Sequence, residues 1–159
     1  MNPVIGRECE VFHPQPVYTR KKILIAGGGP GGMQAALEAT KRGHEVVLCE
    51  ASDKLGALRF ADNDTWFKRP MKRYRDSQIE KVLRCGAEIR LNTRVTKEIV
   101  DEVKPDVLIA AVGSEPFAVP VPGHDGPNVV FGAYLTPETK LGEKLVVIGG
   151  GFIGCEEAV

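Results

Sequence analysis

The stretch that most restricts how this chain can fold runs from Lys22 to Glu50, KILIAGGGPGGMQAALEATKRGHEVVLCE. Lys22–Ala26 is a short apolar run, the mark of a strand buried on both faces. Gly27, Gly29 and Gly32 then form G-x-G-x-x-G at the strand's end. Gly27 lets the chain turn sharply, Gly29 leaves room for a pyrophosphate beside the backbone, and Gly32 lets a helix pack close to the sheet. Gly28, Pro30 and Gly31 fill the same loop, where unpaired N–H groups at a helix start favour an anion. Such a glycine pattern alone is weak in a chain with 18 glycines. Its surroundings strengthen it. Ala36 lies one helical turn past Gly32, Gly43 suits a left-handed helix end, and Val46–Leu48 reads as a second buried strand. Glu50, flanked by Ala51, stands about 20 residues past the glycines, where a carboxylate accepts hydrogen bonds from ribose hydroxyls. The expected fold class is α/β, a Rossmann-like parallel sheet flanked by helices.

A length of 159 residues, 43% hydrophobic and 26% charged, suits a globular domain with a sizeable core. Lys+Arg and Asp+Glu number 21 each, so no basic excess points to nucleic acid and no charge run to a membrane surface. No apolar run approaches a membrane span and no signal peptide is visible, so a cytoplasmic protein is expected. Cys9, Cys49, Cys85 and Cys155 form no C-x-x-C and read as reduced thiols. His13, His44 and His124 lack metal-ligand spacing, and no nucleophile–base constellation is visible.

Residues 1–20, with Pro3, Pro14 and Pro16, read as an extended lead-in. Ala51–Pro70 is polar and irregular, the kind of long loop that covers a site. Met71–Arg84 reads as a helix with Met71, Tyr74, Ile79, Val82 and Leu83 on one face, ended by Gly86. A third strand follows at Ala87–Leu91. Thr96 is placed to cap a short helix through Val103, with Ile99, Val100 and Val103 inward. Val107–Val112 reads as a strand buried on both faces, and Asn128–Phe131 as a short one. Arg59 could clamp a phosphate or be a solvated loop residue. Lys68, Arg69, Lys72, Arg73 and Arg75 read as a solvated helix face, and Trp66 and Phe67 as packing residues rather than a flavin lining.

Lys144–Val159, KLVVIGGGFIGCEEAV, repeats the opening theme. Gly149, Gly151 and Gly154 form a second fingerprint after the apolar run Leu145–Ile148, and Ala158 follows Gly154 as Ala36 follows Gly32. The second unit stops inside its helix. The expected organisation is a lead-in over 1–20, a nucleotide-binding domain over 21–143, and the first strand and helix start of a truncated second domain over 144–159. An unpaired strand at Lys144–Gly149 would have to add to the first sheet, within one chain or in a homodimer.

Two fingerprints joined through VLIAAVGSEP and VPVPG resemble the two-dinucleotide-binding flavoprotein disulfide reductase superfamily. Ile109–Pro116 is similar to its A-T-G-x-x-P strand end, with Val112 where Thr is usual. Asn2-Pro3 followed by Gly6-Arg7-Glu8 resembles the segment after the last iron–sulfur cysteine of the 2,4-dienoyl-CoA reductase family. The resemblance implies a dinucleotide-binding fragment of an NAD(P)H-dependent flavin oxidoreductase. In that family electrons pass from NAD(P)H to FAD, a 4Fe-4S cluster and FMN; the barrel with FMN and the cluster would lie in the missing part. By resemblance, FAD contacts fall on Gly27, Gly29, Gly32, Glu50, Arg59, Val95, Ala111 and Gly113, and NAD(P)H contacts on Gly149, Gly151 and Gly154. The family usually has Gly-Gly-Gln after the acidic strand end, whereas Leu55-Gly56-Ala57-Leu58 has a single glycine and no Gln. The alternative is a non-catalytic module holding ADP as a structural ligand.

Overall fold

The computed structural model describes residues 5–7, 19–57, 69–115, 117, 120–136 and 138–158. Most of the lead-in, with Cys9 and His13, lies outside these residues, as do Arg59, Trp66, Phe67, Lys68 and Pro116. The chain divides into two compact units, Met1–Ala57 with Arg73–Gly113 and Leu58–Lys72 with Ser114–Val159.

The first unit is built on four strands: β1 (Lys22–Ala26), β2 (Glu45–Cys49), β3 (Glu88–Arg90) and β4 (Val107–Ala110). Their order is β3-β2-β1-β4, every pair parallel, with Ala26 beside both Cys49 and Ala110. Side chains alternate across each strand, so two apolar layers form. Ile23, Ile25, Val46 and Leu48 face one way and pack with Met33, Ala36 and Ala39 of helix α1 (Pro30–Lys41) and Val82 of helix α2 (Arg69–Arg84). Leu24, Val47 and Cys49 face the other way, against Val103 of helix α3 (Lys97–Val103). This is the α/β architecture expected from the strand–turn–helix–strand pattern.

Local chemistry explains the helix ends. Pro30 opens α1, where a missing N–H costs nothing. At its other end the His44 N–H donates to the Ala39 carbonyl and the Gly43 N–H to that of Thr40, with Gly43 at φ +85°. That paired closure needs a left-handed residue, which is why glycine stands at position 43. Thr96 occupies the N-cap of α3, but its side chain makes no capping bond; its hydroxyl lies by the Glu98 carboxyl and lowers that group's pKa.

Four expectations are corrected. The buried face of α2 centres on Gln78 and Val82, while Met71, Tyr74 and Leu83 are exposed. At about 100° per residue, Leu83 points well away from Val82. β4 is an edge strand, shorter than the expected Val107–Val112, and Leu108 and Ala110 are exposed on its second face. Asn128–Phe131 forms no strand; a turn at Gly126–Val129 precedes one turn of 3-10 helix, Gly132–Tyr134. Leu145–Ile148 also forms no strand, and its side chains are between 53% and 89% exposed. A strand needs a partner for its N–H and C=O groups, and among the described residues these four have none. The expected pairing of this segment with the first sheet, and the dimer built on it, therefore have no counterpart among the described residues.

Burial pushes the Cys49 thiol up, partly countered by Arg90, with Glu88 and Glu102 adding to the rise. Cys49 is buried, Cys85 half-buried and Cys155 exposed, all unbridged. Of these three, a thiol reagent is expected to label Cys155 first and Cys49 only on unfolding, because the thiolate is the nucleophile. Mass mapping of labelled peptides checks this; prompt native labelling of Cys49 would contradict the burial.

Candidate functional site

In a 3-2-1-4 sheet the ligand crevice lies beyond the carboxyl ends of the strands, where the chain's direction of winding reverses, here between β1 and β4. The first glycine turn leaves β1 at that point. Gly27 has φ +107°, and its N–H donates to the Cys49 carbonyl at 2.8 Å. A Cβ on Gly27 would run into the Ala111 carbonyl at the end of β4, so the turn passes close to that strand. A Cβ on Gly32 would overlap the Gly27 carbonyl, which is how α1 comes so near the sheet. Gly29, the N-cap of α1, and Gly31 meet nothing within 4 Å. Side chains there are therefore not excluded by the protein itself. The N–H groups of Gly29, Gly31 and Gly32 have no partner among the described residues, the first helical bond being Met33 N–H to the Gly29 carbonyl at 2.9 Å. Free donors at a helix start, beside open space, form an anion cradle.

Glu50 follows β2 and is only 9% exposed. Its Oε2 accepts the Gly28 N–H at 2.6 Å, and its Oε1 accepts the Ser52 N–H at 2.8 Å. The Ser52 hydroxyl lies 2.8 Å from Oε1 and 2.9 Å from the Lys54 carbonyl, and its single proton serves one of them at a time. Burial raises the carboxyl's pKa, but the donors from Ser52, Gly28 and Ala51 outweigh it and hold Glu50 below its ordinary value of 4.5. Glu50 is thus an ionised carboxylate at neutral pH. Its role differs from a solvated strand end, because it ties the glycine turn to β2. Removing it is therefore expected to lower the thermal midpoint.

The loop after Glu50 closes on the same turn. The Gly56 N–H donates to the Gly28 carbonyl at 2.9 Å, and Leu55 is buried in the core. A Cβ on Gly28 would stand 2.5 Å from Leu55 Cδ2 and 3.0 Å from Glu50 Cβ. Leu55 thus packs directly over Gly28 and leaves no room for a side chain there. Ser52 and Leu55 were not foreseen as site residues. The only signal for Ser52 was a hydroxyl two residues after a carboxylate, a spacing at which side chains readily bond nearby backbone.

Of the expected set, Gly27, Gly28, Gly29, Pro30, Gly31, Gly32, Glu50 and Ala51 come together at this end of the sheet, with Ala111 against Gly27. Gly113 is exposed at φ +76°, two residues past Ala111. Val95 packs on the second apolar layer with Leu24, Val47 and Cys49, two residues past Thr93, whose N–H donates to the Glu50 carbonyl.

In the second unit, Gly149 has φ +111° and Gly151 is the N-cap of helix α4 (Phe152–Glu157). The Cys155 N–H donates to the Gly151 carbonyl at 3.0 Å, and a Cβ on Gly154 would overlap the Gly149 carbonyl. These are the relations seen at Gly27, Gly29 and Gly32. The second turn adopts the geometry of the first without a strand before it.

A family model described as pyridine nucleotide-disulphide oxidoreductase matches residues 21–159. The chain is 37% identical over 163 residues to an NADH oxidase of Thermoanaerobacter brockii, with 99% of this chain and 25% of the oxidase covered. It is 35% identical over 168 residues to a cinnamate reductase of Clostridium sporogenes, with 100% and 24% covered. Among solved structures it is similar to a complex of 2-naphthoyl-CoA reductase with 2-naphthoyl-CoA: TM-score 0.75, 32% identity, 99% of this chain and 24% of that one. The chain spans about a quarter of the length of these curated relatives. No helix among the described residues is long and apolar enough to cross a membrane.

Proposed function

The chain belongs to the pyridine nucleotide-disulphide oxidoreductase family, and on that premise we propose that its first glycine turn binds the adenosine diphosphate half of FAD. The observation carrying this reading is the ionised Glu50 carboxylate, locked to the glycine turn at the strand-order reversal. The residues present fit such a group. The free N–H groups of Gly29, Gly31 and Gly32 would hold the pyrophosphate, with the positive end of the α1 dipole behind them. Glu50 would accept the ribose hydroxyls. The close approach enforced by the glycines at 27 and 32 keeps side chains out of the way. FAD, when bound, supplies a carrier of two electrons between a nicotinamide and a later acceptor.

Gly149, Gly151 and Gly154 would serve NAD(P)H in the same manner. The whole protein's activity is then NAD(P)H-driven electron transfer through FAD towards an iron–sulfur and FMN-bearing barrel, the arrangement implied by the resemblance to the 2,4-dienoyl-CoA reductase family. The NADH oxidase and cinnamate reductase names of its relatives agree with that class of chemistry. Isolated Rossmann-like units of this kind can also hold ADP alone.

An absorption spectrum of the purified chain, followed by denaturation and mass identification of the released ligand, tests the reading. Released FAD is the expected result. Released ADP would keep the site and remove the flavin. No released nucleotide, together with no heat on titration with either ligand at millimolar concentration, would sink it.

A further inference from the structure

Ser52 stands out because all three of its polar groups are engaged, two of them on one carboxylate. Its N–H and hydroxyl both reach Glu50 Oε1 at 2.8 Å. Its carbonyl accepts the Asn92 N–H at 2.8 Å, just past β3, where Asn92 holds φ +52°. The residue is thus anchored from behind while it presents two donors forward. Glu50 in turn is anchored through its own backbone: its N–H donates to the Arg90 carbonyl at 2.9 Å, and its carbonyl accepts the Thr93 N–H at 2.8 Å. With Gly28 holding Oε2, the carboxylate plane is fixed from both ends.

We propose that Ser52 is a positioning residue for ribose recognition, its hydroxyl fixing Oε1 of Glu50 so that the carboxylate meets a ribose diol already oriented. This rests on the nucleotide reading above. A carboxylate has about four lone-pair positions. Gly28 and Ser52 fill up to three of them, leaving Oε2 with room for a ribose hydroxyl. One O–H of a ribose diol matches that position, whereas a 2′-phosphate brings negative charge against a carboxylate.

Arg90 on β3 pairs with Glu88 and with Glu102 of α3, and Arg75 of α2 pairs with Asp76. Asp53 and Lys54 share the loop of Glu50 and are exposed. Ser52, Gly28 and the Ala51 backbone are the groups that act directly on the Glu50 charge, and among them Ser52 alone does so with a side chain.

The test is calorimetric titration of the 159-residue chain with ADP between pH 8 and pH 4, for the parent, Ser52→Ala, Ser52→Thr and Glu50→Gln. The ADP phosphates titrate alike in every case, so variants are read against the parent. Ser52→Ala is expected to weaken ADP by about three- to tenfold at neutral pH, less than the roughly tenfold or more that a direct hydrogen bond to a charged group is worth, because Ser52 acts through Glu50. It is also expected to move the acidic loss of binding upward by about half a pH unit or more, because one donor to the ionised form is gone. Ser52→Thr restores both. If Glu50→Gln weakens ADP and Ser52→Ala matches the parent in affinity and acidic limb, the positioning role is overturned. A fall in affinity with an unmoved limb overturns it too, since that reports a loosened loop only. If Glu50→Gln binds ADP like the parent, Glu50 does not read the ribose and the positioning role is overturned with it; if the parent itself binds no ADP, the nucleotide reading has failed, and that outcome is distinct from the others.

Discussion

Gly32→Ala is expected to destabilise the first unit by about 3 kcal/mol, while Gly31→Ala, one residue earlier, stabilises it by about 0.5 kcal/mol. Both glycines lie in the first turn of α1, and neither has a left-handed backbone, so conformation does not separate them. Space does. A Cβ at Gly32 overlaps the Gly27 carbonyl and touches Ile25 Cγ2 at 3.4 Å, whereas at Gly31 it meets nothing within 4 Å. The obstacle at Gly32 is backbone at the very end of β1, which cannot rotate aside as a side chain would. Relief requires α1 to lift from the sheet, opening the layer of Met33, Ala36, Ile25 and Leu48. At Gly31 the added methyl only restricts the unfolded chain and suits the helix. Urea unfolding of both variants checks the pair. Equal midpoints would show that the turn does not need its close approach. Gly154→Ala is the internal control: it meets the same overlap with Gly149, but no strand precedes that turn, so a far smaller loss is expected.

The contrast between those two turns also shows where sequence reading reaches and where it stops. β1, α1 and β2 were legible because each boundary has a local cause: an apolar run, a glycine turn, a proline start and a left-handed Gly43. KILIAG and KLVVIG are near-equivalent by every local rule, yet only the first is a strand. Pairing decides, and pairing depends on neighbours that a local pattern does not contain. The same holds for β4. Its apolar run reads as buried on both faces, but its place at the sheet edge leaves Leu108 uncovered. At the site, Glu50 was legible by its distance from the glycines. Its anchoring by Ser52 and the cover of Leu55 over Gly28 were not, because loop contacts follow no period.

Glu50→Ala should cost the chain both nucleotide affinity and stability. Three donors now end on its carboxylate, two of them backbone N–H groups of Gly28 and Ser52. Truncation leaves them facing an apolar methyl in a nearly buried place, at a cost of about 2–3 kcal/mol. For a chain of this size that lowers the thermal midpoint by roughly 5–10 °C. Adenine-nucleotide affinity should fall by about tenfold or more, since a charged acceptor for the ribose is lost. Glu50→Gln separates the two losses. It keeps the volume, but its NH₂ group must face either Gly28 N–H or Ser52, donor against donor, so stability falls without a cavity. Glu50→Arg, which the motif alone would suggest for switching the site to 2′-phosphorylated ligands, is expected to unfold the turn instead. A guanidinium there would be a buried cation among donors with no carboxylate partner. The pH dependence follows from the depressed carboxyl. The unfolded state binds the proton more readily than the folded one, so stability rises with pH through that window. The contribution of Glu50 is complete above its ordinary value of 4.5 and disappears as pH falls through the lower folded value. Thermal scans from pH 7 to pH 3 should therefore show the parent losing its advantage over Glu50→Ala on the acid side. A difference between the two that stays constant across that range would mean the carboxylate is not what holds the glycine turn.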